Sequence, residues 1–150
     1  MPKIRVTKEF KFEAAHALLR YDGLCKNIHG HSYKLFVTVI GEPITDNSNS
    51  KLGMVIDFGD LKSIVNKEIV DKFDHSIILN KNANTSVLEN INEMFLRKHY
   101  TEYQPTCENM LIDFVSKIKN KLPKNVELHS VKLYETANSF AEWVSTDNLM

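Results

Sequence analysis

The sequence predicts an α+β domain in which a four-stranded antiparallel sheet, built of two hairpins, carries helices on one face. Three observations predict it. Two runs near the N-terminus and two near the C-terminus alternate apolar and polar residues with period two, and the stretch between them holds apolar stripes at helical spacing.

The first strand is predicted from Ile4 to Ala14. Its even positions read Ile, Val, Lys, Phe, Phe, Ala, while the odd ones from Lys3 to Glu13 read Lys, Arg, Thr, Glu, Lys, Glu. The second runs from His31 to Ile40, with Tyr33, Leu35, Val37 and Val39 on one face and only Phe36 and Ile40 breaking the polar pattern of the other. After a turn-rich stretch, Gly41 to Gly53, Asp57 is placed to cap a helix over residues 58–71 carrying Phe58, Leu61, Ile64, Val65 and Ile69. Ser86-Val-Leu-Glu89 has the form of a capping box, and Val87, Leu88, Ile91, Met94 and Phe95 make one stripe, so a short helix is expected there. Pro105-Thr106 opens the clearest helix, with Met110, Leu111, Phe114, Val115, Ile118 and Leu122 inward, lysines near its end and Pro123 stopping it. Val126 to Thr136 and Phe140 to Ser145 then read as two strands joined across Ala137-Asn138-Ser139.

At 150 residues and 17.3 kDa, the chain suits a single domain spanning 1–150. Lys plus Arg and Asp plus Glu each number 19, so no global basic field exists to hold nucleic acid or an anionic membrane. Any anionic ligand must be caught locally. No apolar run is long enough for a membrane span, and Met1-Pro-Lys-Ile-Arg5 lacks the apolar core of a signal peptide, so a cytoplasmic protein is expected. The two cysteines, Cys25 and Cys107, are too few for a disulfide scaffold and read as free thiols. A four-stranded sheet has two unpaired edges, and with Phe36 and Ile40 on its outer face it predicts self-association.

Strand parity makes three histidines informative. His29 and His31 lie on the same face as Tyr33 and Leu35, about 7 Å apart along a strand, and His16 extends the apolar face of the first strand. If those strands pair, three imidazoles meet, and a histidine-rich site with an open position suits zinc, although nickel or iron fit similar ligands. Three unconnected histidines with ordinary hydrogen bonds are the plainer alternative; His99 and His129 are read that way. Cys25, four residues before His29, could act as base, nucleophile or fourth metal ligand. Cys107 reads as a small buried apolar residue.

Asp74-His75 can pair as carboxylate and imidazole, or simply end a helix. Glu135 shares parity with Val131 and Leu133, which aims a carboxylate toward the covered face; it needs a partner such as a ligand with two adjacent N–H donors, unless it lies solvated in the turn. Thr106 and Glu108 suit capping of the last long helix or a ligand role. Lys26 could meet an anionic group, but a solvated surface lysine is the simpler reading.

Phe12-Glu-Ala-Ala-His16, Cys25-Lys-Asn-Ile-His29-Gly-His31-Ser-Tyr33, Met54-Val-Ile-Asp-Phe58, Phe73-Asp-His75, Pro105-Thr-Cys-Glu-Asn109 and Glu135 to Trp143 together resemble the 6-pyruvoyltetrahydropterin and 6-carboxytetrahydropterin synthase family. The resemblance covers nearly the whole chain. It implies the tunnelling fold, in which subunits join sheets into a barrel, commonly a homohexamer with active sites between subunits. It further implies zinc on His16, His29 and His31, proton transfer by Cys25, a second acid/base unit in Asp74 and His75, and a pterin anchored by Glu135 with help from Thr106 and Glu108. The three residues separating Cys25 from His29 match the carboxytetrahydropterin branch, whose substrate is 7,8-dihydroneopterin triphosphate and whose product feeds 7-deazaguanine (queuosine) synthesis. The pyruvoyl branch, and a non-catalytic pterin- or zinc-binding protein, are the competing expectations. Two features depart from the family pattern: the long stretches Gly41 to Gly53 and Asn80 to Gln104, and Cys107 where Ala or Ser is usual.

Overall fold

Strand β1 (Ile4–His16) and strand β2 (His29–Gly41) pair antiparallel over their full length, with Ile4 opposite Gly41 and His16 opposite His29. In this computed structural model, which describes residues 1–84, 94 and 96–149, the apolar alternation has its expected effect: Phe10, Phe12, Ala14 and His16 of β1, with Tyr33, Leu35, Val37 and Val39 of β2, are buried on one face. Helix α1 (Phe58–Val65) follows, capped by the Asp57 carboxylate, which accepts from the Gly59 N–H. It continues through a π-helical turn, Asn66–Val70, into a last turn α2 (Asp71–Phe73). The expected single helix over 58–71 is thus interrupted; the inserted turn keeps Leu61, Val65, Ile69 and Phe73 all buried.

The sheet has six strands, not four, and it is mixed. Strand β3 (Ser76–Asn80) lies parallel to the end of β1, and β4 (Lys98–Thr101) lies parallel to β3, giving the order β4-β3-β1-β2-β5-β6. The four antiparallel strands expected from alternation are its β1-β2-β5-β6 part. Alternation could not find β3, because Ser76, Ile77, Ile78 and Leu79 are all buried and present no polar face. Strand β3 covers the β1 edge only beside Ala14–His16. The short helix expected near residues 86–95 lies outside the described residues.

Helix α3 (Cys107–Lys119) packs Met110, Leu111, Phe114, Val115 and Ile118 onto the sheet, and β5 (Val126–Thr136) and β6 (Ser139–Val144) close the chain as the second hairpin. Their core joins Leu128, Val131 and Leu133 to the residues of β1, β2, α1 and α3. On the other face Phe36 is half-buried, its ring edge-on to Tyr134 with centroids 5.7 Å apart. Among the described residues no helix is long and apolar enough to cross a membrane.

Candidate active site

The β1–β2 register brings the three histidines together. His16, 1% exposed, sits opposite His29, and His31 is two cross-strand pairs away, opposite Ala14. Each ring offers a ligand nitrogen, and the three nitrogens lie within 4.8 Å of one another. His16 Nδ1 is 2.7 Å from the Pro105 carbonyl and His29 Nδ1 is 2.7 Å from the Asn27 carbonyl. A carbonyl only accepts, so in each neutral ring Nδ1 carries the hydrogen and Nε2 keeps a bare lone pair. Those two Nε2 atoms face each other at 3.0 Å. Two lone pairs at that distance repel unless a cation or a proton sits beside both, and two nitrogens on one tetrahedral zinc stand about 3.3 Å apart. The donor set therefore fits a metal ion. Burial is the main influence lowering the pKa of His16 and His31, opposed by the Pro105 carbonyl at His16 and by the field of Glu135 at both, and it favours the neutral, ligating form.

Glu135 completes the cluster from β5. Its Oε1 is 3.5 Å from His16 Nε2 and 3.8 Å from His31 Nε2, and its side chain keeps 28% exposure. The carboxylate that needed a partner thus lies against the imidazoles at the rim of the site, with an edge left for a ligand. Tyr33 backs the trio: its ring stacks on Phe12 with centroids 4.9 Å apart, and its hydroxyl reaches to 3.5 Å from His16 Nδ1. Burial raises the Tyr33 pKa far above its ordinary value, so the phenol stays neutral.

Cys25 is exposed in the short 3-10 turn Leu24–Lys26 that precedes the histidines. Among the described residues, the group able to hold a metal comprises the three histidines without this thiol. Lys26, on the same turn, is exposed.

Asp74 and His75 form a pair: His75 Nδ1 is 3.0 Å from Asp74 Oδ1, which also accepts from the Glu13 N–H at 2.9 Å. Partial burial pushes the Asp74 carboxyl up, but the Glu13 N–H and the His75 ring outweigh it and hold its pKa below the ordinary value. His75 has a left-handed backbone (φ 58°) fixed by its N–H donating to the Glu13 carbonyl. His75 borders a cleft of about 380 Å³ with Glu13, Ala15, Gly30, His31 and Ser32. His31 of the trio lines this cleft with His75, whereas His16 and His29 do not.

Thr106 caps α3, its hydroxyl accepting from the Asn109 N–H at 3.2 Å, and Glu108 is exposed in the first turn. Cys107 is buried and its thiol donates to the Leu133 carbonyl at 3.2 Å; burial chiefly pushes its pKa up to about 11, so it stays a neutral thiol, as expected of a packing residue. His99 is structural: it stacks on Phe73 and bonds the Lys72 carbonyl. The Pro105 and Asn27 carbonyls, Tyr33 and Gln104 escaped the sequence reading. Asn27, two residues before His29, carried a local signal; Pro105, 89 residues from His16, carried none.

A mixed sheet backed by helices, with three histidines at a hairpin end whose nitrogens could hold a metal ion, defines the class of this α+β protein. The chain belongs to the 6-pyruvoyl tetrahydropterin synthase family, whose model matches residues 5–145. The 6-carboxy-5,6,7,8-tetrahydropterin synthase of Haemophilus influenzae is 36% identical over 141 residues, covering 93% of this chain and 97% of that protein. The Rickettsia conorii protein of the same name is 35% identical, covering 93% and 99%. The solved structure of Caenorhabditis elegans 6-pyruvoyl tetrahydropterin synthase superposes with a TM-score of 0.66 at 26% identity, covering 96% of each chain.

Proposed function

We propose that this chain is a zinc-dependent 6-carboxy-5,6,7,8-tetrahydropterin synthase that converts 7,8-dihydroneopterin triphosphate and water to 6-carboxytetrahydropterin, acetaldehyde and triphosphate. The observation that carries the reading is the convergence of three imidazole nitrogens with the Glu135 carboxylate at 3.5 Å and 3.8 Å from two of them. It supports a metal site beside an acceptor for paired N–H donors. His16, His29 and His31 hold the zinc, which when bound acts as a Lewis acid toward the substrate's side-chain hydroxyls. Glu135 accepts from the amino-pyrimidine edge of the pterin, assisted by Thr106 and Glu108 at the start of α3. Cys25 removes a proton from the substrate side chain. His75, whose Nδ1–H is held by Asp74, has Nε2 free to move the second.

The assembly belongs to the same proposal. In a homohexamer, one subunit's dyad serves a neighbour's pterin. A cavity of about 470 Å³ lined by Ile4, Met54 and Phe58, all exposed, supports packing between subunits. The protein acts in the cytoplasm, early in 7-deazaguanine synthesis.

Incubating zinc-loaded protein with 7,8-dihydroneopterin triphosphate and weighing the products tests the reading. The 6-carboxy product with acetaldehyde supports it. A pyruvoyl product without acetaldehyde assigns the chain to the other branch, and zinc retention without turnover makes it a binding protein.

A further inference from the structure

The loop between β1 and β2 carries Cys25 on an exposed surface and has little packing to fix it. Its ties are to backbone carbonyls: Leu18 N–H donates to the Cys25 carbonyl at 2.9 Å, Tyr21 N–H to Leu18 at 3.2 Å, Lys26 N–H to Gly23 at 3.3 Å and Asn27 N–H to Leu24 at 3.0 Å, while the Asn27 carbonyl accepts from His29 Nδ1 at 2.7 Å. A further hold, on the β1 side of the loop, comes from a residue distant in sequence. The Gln104 carboxamide meets Leu19 twice, its Oε1 accepting from Leu19 N–H at 3.0 Å and its Nε2 donating to the Leu19 carbonyl at 2.8 Å. One side chain thereby pairs with Leu19 as a neighbouring strand would.

Gln104 is itself anchored. Its own carbonyl accepts from Thr106 N–H at 2.8 Å and from Asn109 Nδ2 at 3.0 Å, which bind it to the start of α3. The next residue, Pro105, gives its carbonyl to His16 Nδ1 at 2.7 Å. Two consecutive residues on a helix entrance thus hold the two parts of the site: the Gln104 side chain holds the Cys25 loop, and the Pro105 carbonyl orients a histidine of the trio. Apolar packing cannot set that spacing, because the loop from Arg20 to Ile28 is largely exposed.

We propose that Gln104 is a positioning residue that fixes Cys25 relative to the histidine trio through its paired contact with Leu19. The inference rests on the assignment of Cys25 as the proton-transferring thiol. A misplacement of about 1 Å can cost on the order of 100-fold in rate, whereas the substrate's other anchors remain in place.

The test replaces Gln104 by Met, which keeps length and loses both hydrogen bonds, and by Asn, which keeps the carboxamide one methylene shorter. Expected for Gln104→Met are a kcat lower by about 10- to 100-fold, a KM within about twofold, one zinc still bound per chain, and faster hydrogen exchange at the Leu19 amide. Gln104→Asn recovers part of the kcat, and it decides the matter if the Met variant does not fold. Unchanged kcat despite faster exchange at Leu19 overturns the proposal, as does a kcat loss that follows loss of zinc, which would assign Gln104 to the metal site instead. Cys25→Ala separates the two layers. If it retains full turnover, the assignment of the thiol falls; if it loses turnover while Gln104→Met does not, only the positioning role falls.

Discussion

His16 and His29, opposite each other at the loop end of the first hairpin, turn their Nε2 atoms to a separation of 3.0 Å while each Nδ1 is bonded to a backbone carbonyl. The fold thus enforces a contact that is unfavourable in the metal-free protein and favourable around a cation. Metal binding to the native state alone raises stability by about 2.7 kcal/mol at a free-metal concentration 100 times Kd. Thermal melts should therefore rise with added zinc and fall with a chelator. His29→Ala should abolish that shift; a shift of wild-type size in the variant would place the metal elsewhere.

Cys25 lies outside the group of residues that can hold the ion. Proton transfer by one positioned group contributes about 10² to 10⁴ in rate, so Cys25→Ala should lose activity on that scale with zinc stoichiometry intact. Loss of the metal along with activity would make the thiol a ligand.

Much of this site was legible before any coordinates. Parity put His29 and His31 on one face and His16 on the apolar face of its strand, and antiparallel pairing did the rest. Asp57 and Thr106 announced their helices, because capping is a local matter of a short polar side chain and the N–H groups just ahead. What stayed hidden was non-local or without pattern. The uniformly buried Ser76–Leu79 segment carries no period, and the parallel pairing of β3 with β1 is set by tertiary packing. The Pro105 carbonyl holds His16 through a group every residue possesses, so no sequence feature marks it. Glu135 was expected to lack an internal partner, since its neighbours come from β1 and β2, about a hundred residues earlier.

The Asp74 carboxylate, bonded to Glu13 N–H and to His75, has a pKa below its ordinary value in the fold. The sign follows from linkage: the unfolded chain binds this proton more readily than the native one. The stabilisation is present above the unfolded value of about 3.9 and is lost as pH falls through the lower folded value. Asp74→Asn should lower stability at neutral pH and flatten the acid limb below about pH 4, read by chemical denaturation across a pH series. The same variant leaves His75 without the acceptor that fixes its tautomer, so turnover should drop by about 10² to 10⁴. An acid limb identical to wild type would remove Asp74 from both roles.

Thr106 serves α3 as its cap, and the proposed chemistry also places it beside the pterin, two demands that different substitutions separate. Alanine removes the hydroxyl that accepts from Asn109 N–H and should cost about 1 kcal/mol of stability. Asparagine is an equally good cap, so Thr106→Asn should unfold at nearly the wild-type denaturant concentration. If the hydroxyl also meets substrate, that stable variant will show a raised KM, because the bulkier amide occupies the same position with different donors. A wild-type KM in Thr106→Asn would leave Thr106 a cap alone, with Glu135 as the pterin's anchor from the sheet.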